Sequence, residues 1–120
     1  MTKKIFVYIW EYIVREEYLA EFQKIYGPEG DWVRLFKNAK GYIGTDLHQD
    51  ISNSTRFISV DCWNTREDRD YFRKEYSREF ELLDKHCERF TQSENLIGEF
   101  DAIRNFKQFT GEERTNAGSL

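Results

Sequence analysis

Asp61, His48 and Trp63 are the side chains best suited to chemistry on a small organic molecule, and all three fall in two short extended runs, YIGTDLHQ and RFISVDCW. Asp61 shares strand parity with Phe57, Ser59 and Trp63. A carboxylate on a covered face must find hydrogen-bond donors or move its pKa upward, and the second outcome suits a general base. Its plain alternative is an ion pair with Arg56, Arg66 or Lys74. His48 could take a proton from a phenol near neutral pH, while its plain reading is a partly exposed strand residue. Without a second imidazole or a partner carboxylate it is a weak signal for haem or metal. Trp63 is either a pocket wall or core filling. Tyr71 would donate a hydrogen bond to a substrate oxygen if it reached a pocket, although its place beside Phe72 at the start of a helix stripe also fits a core. Glu11, set among isoleucines, poses a further choice between a salt bridge at a dimer rim and a carboxylate pair with Asp61.

The elements that must position these residues follow from periodicity. Residues 4–14, KIFVYIWEYIV, put Ile5, Val7, Ile9 and Ile13 on one strand face and Phe6, Tyr8, Trp10 and Tyr12 on the other. A strand apolar on both faces must bury both, with helices on one side and something else on the other. A second copy of the chain packed sheet to sheet is the simplest cover. Residues 15–26 predict a helix from the stripe Leu19, Phe22, Ile25 and Tyr26, which ends at Gly27-Pro28. Asp31 reads as the N-cap of a short helix over residues 32–38, with Trp32, Leu35 and Phe36 apolar. Tyr42 to Gln49 and Arg56 to Trp63 predict a hairpin around Ser52-Asn53-Ser54. Asn64 or Thr65, followed by Glu67 and Asp68, predicts a helix start. That helix is expected to continue through Phe72, Tyr76, Phe80, Leu83 and Cys87, with a break over residues 91–94 and a last strand over 95–103.

The predicted order is strand, helix, strand, strand, helix, strand: an α+β, ferredoxin-like βαββαβ domain over residues 3–103, with an antiparallel sheet and its helices on one face. Residues 104–120 are polar and are expected to form a mobile tail, with Phe106 and Phe109 as candidates to dock on the body. The chain has 18 basic and 22 acidic residues and a net charge of −4, which implies no nucleic-acid or anionic-membrane partner. An RNA-recognition domain shares the element order, but RFISV lacks that motif's glycines. No apolar run reaches membrane-spanning length, and MTKK leads straight into a strand, so a cytoplasmic protein is expected. Cys62 and Cys87 make neither a disulfide framework nor a metal motif and read as small buried apolar groups. The charged run over residues 66–79 reads as a solvated helix face.

The GYIGTDL strand after a helix-loop-helix, the RFISVDCW strand, and a tryptophan followed at once by a polar cap and an acidic helix start together resemble the antibiotic biosynthesis monooxygenase domain family. YGPEGDW resembles a subset with an extra short helix, and the likeness covers residues 4–100. It implies a dimeric α/β barrel: a homodimer joined through the sheet faces, with a pocket between sheet and helices. It also implies a cofactor-independent monooxygenase acting on an aromatic or quinol-like molecule, without metal or flavin. In that reading His48 or Asp61 handles the proton, Trp63 occupies the tryptophan position of the oxygenases, and Ser59 and Tyr71 border the substrate. Ser59 stands where those oxygenases have asparagine, and Arg69 where they have tyrosine. The haem-degrading branch uses an asparagine on the first strand and a histidine at the position of Arg73, so haem cleavage by that constellation is not expected. The alternative is a noncatalytic homodimer of the same fold that binds a small apolar ligand or serves as a scaffold.

Overall fold

A computed structural model describes residues 2–105. Four strands, β1 (Thr2–Val14), β2 (Tyr42–Gln49), β3 (Arg56–Trp63) and β4 (Thr91–Asn105), form one antiparallel sheet in the order β2-β3-β1-β4. This is the ferredoxin-like arrangement. Its helices are α1 (Leu19–Tyr26), α2 (Asp31–Phe36), α3 (Arg66–Glu75) and α4 (Ser77–Cys87), with single 3₁₀ turns at Glu16–Tyr18 and Glu88–Phe90.

Strand alternation explains why the helices share a face. Phe57, Ser59, Asp61 and Trp63 of β3 are all buried, and they stand in register with Tyr12, Trp10, Tyr8 and Phe6 of β1. Onto these rings pack Phe22 and Tyr26 of α1, at 5.3 and 5.1 Å from the Tyr12 ring, and Phe72 of α3, at 5.5 Å from Trp63. Burying such large rings is the main apolar contribution to the fold, roughly 1.5–3 kcal/mol for each. The opposite face carries Ile5, Val7, Ile9 and Ile13, as their parity requires, and Ile5 and Val7 are buried.

Several local expectations need correction. The predicted first helix begins as a 3₁₀ turn and becomes α-helical only at Leu19. Asp31 is not the N-cap of α2. Gly30 is, because a side chain there would run into the backbone carbonyls of Lys24 and Ile25, and Asp31 instead pairs with Arg34 at 2.8 Å within the first turn. The expected single long helix is two: at Tyr76 the backbone (φ −108°, ψ 28°) closes α3 and opens α4. The last strand begins at Thr91 rather than residue 95 and runs to Asn105. Its partner β1 is nearly as long, and ladder pairing imposes extension on a segment with weak alternation of its own. Residues 106–120, including the candidates Phe106 and Phe109, lie outside the described residues.

Thr65 caps α3 as expected, its Oγ1 accepting the Asp68 backbone N–H at 3.0 Å. Asp50 sets the hairpin turn by accepting from the backbone N–H groups of Ser52 and Asn53, and its carboxylate also holds Arg56 at 3.0 Å. Gly41, at φ +87°, lets the chain enter β2 against the Asp68 carboxylate, where any side chain would collide.

Candidate functional site

Between the sheet and the helices lies a cavity of 220 Å³. Its floor is Ser59 and Asp61 of β3, Tyr8, Trp10 and Tyr12 of β1, and Thr45 of β2; Tyr26, Trp32, Phe36, Arg73, Phe80, Asp84 and Glu94 complete the wall. The site is thus mainly aromatic with a few polar groups, the usual character of a small-molecule pocket.

A β-bulge builds its polar centre. In β2, Tyr42 pairs with Trp63 while Gly44 already pairs with Cys62, so one residue of β2 is extra. Without it Tyr42 and Thr45 would point to opposite faces; with it both face the helices. The Tyr42 hydroxyl then lies 2.6 Å from Thr45 Oγ1, which in turn donates to Asp61 Oδ1 at 2.6 Å. Thr45 has a single proton to give, so with Asp61 ionised the order of donation is Tyr42 to Thr45 to Asp61.

Asp61 is 8 % exposed, and burial pushes its pKa from 3.8 up to about 6, with the Thr45 hydrogen bond and the Arg69 charge opposing the shift. That value suits a proton acceptor near neutral pH. Tyr42 is moved up to about 12, chiefly by burial, so its hydroxyl stays protonated. Ser59 donates to the Tyr12 hydroxyl at 3.3 Å, and burial holds that phenol far above its ordinary range.

The structure brings together Ser59 and Asp61 and separates the other sequence candidates from them. Trp63 is 1 % exposed and lies behind the cavity wall, its ring 5.9 Å from Phe36, 5.3 Å from Tyr42 and 5.5 Å from Phe72. His48 pairs with Ile58, so it lies on the sheet face opposite Asp61, and it is exposed. Tyr71 is 64 % exposed and outside the cavity. Glu11 also lies on the opposite face, where it holds Arg56 at 2.7 Å, so it makes no pair with Asp61. Of the suggested ion-pair partners of Asp61, Arg56 is taken by Glu11 and Asp50, and Arg66 by Glu99 and Asp70. Cys87 is buried, and burial pushes its thiol up to about 11, so it is inert at neutral pH.

The sequence reading missed Arg73, Asp84 and Glu94 as cavity-lining residues, and Arg69 as the cation behind Tyr8. Arg69 is 7 % exposed, not part of a solvated face: its guanidinium lies 4.4 Å from the Tyr8 ring and 5.1 Å from Phe6, and hydrogen-bonds Asp70 and Glu99. Arg73 stacks over Phe80 at 4.0 Å, across the Tyr76 junction. A second bulge, between Ile9 and Trp10 in the β1–β4 pairing, places Glu94 opposite Tyr12 and Glu99 opposite Tyr8, both on the helix side. Among the described residues no group of three or more His, Cys, Asp or Glu side chains is placed to hold a metal ion, and no helix is long and apolar enough to cross a membrane.

No protein-family model matches the chain, and neither does any curated protein. Solved structures do match, through their backbones. SnoaB from Streptomyces nogalater, a cofactor-independent oxygenase, superposes with a TM-score of 0.70 at 12 % identity, covering 85 % of this chain and 96 % of its own. A provisionally assigned antibiotic biosynthesis monooxygenase from Bordetella bronchiseptica gives 0.65 at 21 % identity, covering 85 % of this chain and all of its own. The fold is that of the antibiotic biosynthesis monooxygenase structures. A protein of unknown function from Bacteroides thetaiotaomicron, described as a possible oxidoreductase, shares it too, with a TM-score of 0.64 at 13 % identity over 83 % of this chain and 98 % of its own. At such identities the likeness establishes this monooxygenase fold and leaves the chemistry to the residues of the cavity.

Proposed function

We propose that this chain is a cofactor-independent monooxygenase of an aromatic or quinol-like small molecule, with Asp61 as the proton acceptor. One observation carries the reading: a carboxylate with a pKa of about 6 is buried in the aromatic cavity of a fold shared with a cofactor-independent oxygenase. Removing a proton from a quinol leaves an electron-rich anion able to reduce dioxygen. One oxygen atom bonds to a ring carbon, the O–O bond breaks, and the other leaves as water with two hydrogens from the substrate. A quinol thereby becomes a hydroxyquinone, and the substrate supplies all four electrons. Asp61 holds the first proton, and Thr45 and Tyr42 extend its hydrogen-bond chain.

A homodimer through the open sheet face belongs to the same proposal, supported by β1's apolarity on both faces and by Phe100, 46 % exposed beside Val7. Light scattering should then give twice the chain mass. A second reading, a noncatalytic ligand-binding dimer, is favoured by Trp63, which packs in the core outside the cavity.

Oxygen uptake with quinols, catechols and anthrones separates the two. A monooxygenase should consume oxygen with at least one of these classes, and Asp61→Asn should slow it by about 100-fold or more if proton removal is lost. Uptake by the variant at the wild-type rate would remove Asp61 from the reaction. Binding without uptake favours the second reading.

A further inference from the structure

Ser59 and Asp61 are two residues apart on β3, so both face the helices, and a strand sets such neighbours about 6.5 Å apart. Both line the floor of the cavity. A flat ring lying on that floor covers the two positions, and oxygens at its opposite ends come over two different polar groups. At the Asp61 end, Thr45 donates to one carboxylate oxygen, Oδ1, and the other has no hydrogen-bond partner among the described residues. At the Ser59 end stands the hydroxyl of Tyr12, which reaches across from β1.

Tyr12 is 7 % exposed and lines the same cavity, with its ring held edge-on by Phe22 and Tyr26. Its oxygen accepts from Ser59 at 3.3 Å, so its own proton is not spent on that contact. Glu94, the carboxylate opposite it in the β1–β4 pairing, receives Thr91 at 3.2 Å instead, and no described residue accepts from Tyr12. Burial holds the phenol well above its ordinary pKa, so the O–H stays a donor at neutral pH. A buried O–H with nothing to donate to is unfavourable, and a ligand oxygen would satisfy it.

We propose that Tyr12, its acceptor side filled by Ser59, is the donor that recognises the second oxygen of the ligand, so that the cavity selects rings with oxygens at opposite ends, one donating to Asp61 and the other accepting from Tyr12. This rests on the reading of the cavity as a quinol site and deepens it by naming the residue that tells a 1,4-dioxygenated ring from a simple phenol.

Isothermal titration calorimetry of the full chain under nitrogen compares hydroquinone with para-cresol, which has nearly the same size and carries a methyl group in place of the far hydroxyl. Excluding oxygen separates binding from turnover, so the contact is read whether or not oxygen uptake follows. Hydroquinone should bind roughly fivefold more tightly, the gain expected of one neutral hydrogen bond. In Tyr12→Phe, which keeps the ring, the ratio of the two affinities should fall to one or below, because the far hydroxyl then loses its water without gaining a donor. A Tyr12 that served packing alone would weaken both probes together and leave the ratio where it was, and that result overturns the proposal. Equal or tighter binding of para-cresol by the wild type overturns it as well, without recourse to the variant. Either outcome leaves the quinol reading to be decided by oxygen uptake, whereas no binding of either probe overturns the aromatic site and the role of Tyr12 together.

Discussion

The Thr45 hydroxyl donates to Asp61 at 2.6 Å from the position directly opposite it in the β2–β3 register. This contact gives the buried carboxylate a donor without giving it a counter-ion. Asp61 is therefore accommodated while its basicity is retained, and Arg69 moderates that basicity from behind Tyr8.

Asp61→Asn should change how stability depends on pH. The folded-state pKa, about 6, lies above the ordinary 3.8, so the native state keeps the proton that the unfolded chain releases first. Stability should fall as pH rises between these two values and level off above, by a total of about 3 kcal/mol. Urea melts across that window should show the slope in the wild type and its loss in the variant, which should be the more stable protein at neutral pH. An unchanged slope would assign the titration to another group.

Thr45→Val removes the donor and keeps the shape. The Asp61 pKa should rise further, and stability at neutral pH should drop by about 1–3 kcal/mol, because a buried acceptor loses its partner. Carbon-detected NMR titration of the Asp61 carboxyl reads the shift directly, and Thr45→Ser should restore it. If serine behaves like valine, a hydroxyl at position 45 is not what holds the Asp61 pKa.

Trp63→Phe tests whether the indole serves the fold or the ligand. With its ring enclosed by Phe36, Tyr42 and Phe72, truncation should cost about 2 kcal/mol in denaturant melts. The rate of oxygen uptake should stay within about twofold, given that a change of about 1.36 kcal/mol would be tenfold. A large loss of uptake in a folded variant would show that Trp63 shapes the cavity after all.

His48→Ala should alter stability by less than about 0.5 kcal/mol, as expected for an exposed strand residue, and should leave oxygen uptake unaltered. A drop in turnover would show that the sheet's other face takes part in the reaction, and so that a neighbouring subunit completes the site.

The fold was legible because its strands carry period-two alternation of large apolar residues and its turns and caps carry side chains with one obvious use, as Ser52-Asn53-Ser54 and Thr65 do. Parity placed Ser59 and Asp61 together on one face, and the family resemblance implied that this face borders the pocket. The break at Tyr76 was hidden because Phe72, Tyr76, Phe80, Leu83 and Cys87 keep helical spacing straight through it. Charge also misled at Arg69, which the sequence shows among acids and bases but which the structure buries against rings. The two bulges decide which side chains reach the cavity, and Gly44, a glycine inside a strand, was the available hint of the first.

The junction at Tyr76 makes one part of the cavity wall separately evolvable from folding. Before it, α3 lends Arg73 to the wall but also buries Arg69 and Phe72 and is tied to the sheet through Glu99; after it, α4 buries only Cys87, while Phe80 and Asp84, one turn apart, border the cavity. Substitutions at exposed Asp84 sit where surface changes cost little stability, so a duplicated copy of this chain could drift to a new wall charge while its sheet, its cap at Thr65 and its aromatic core stay under the same constraints.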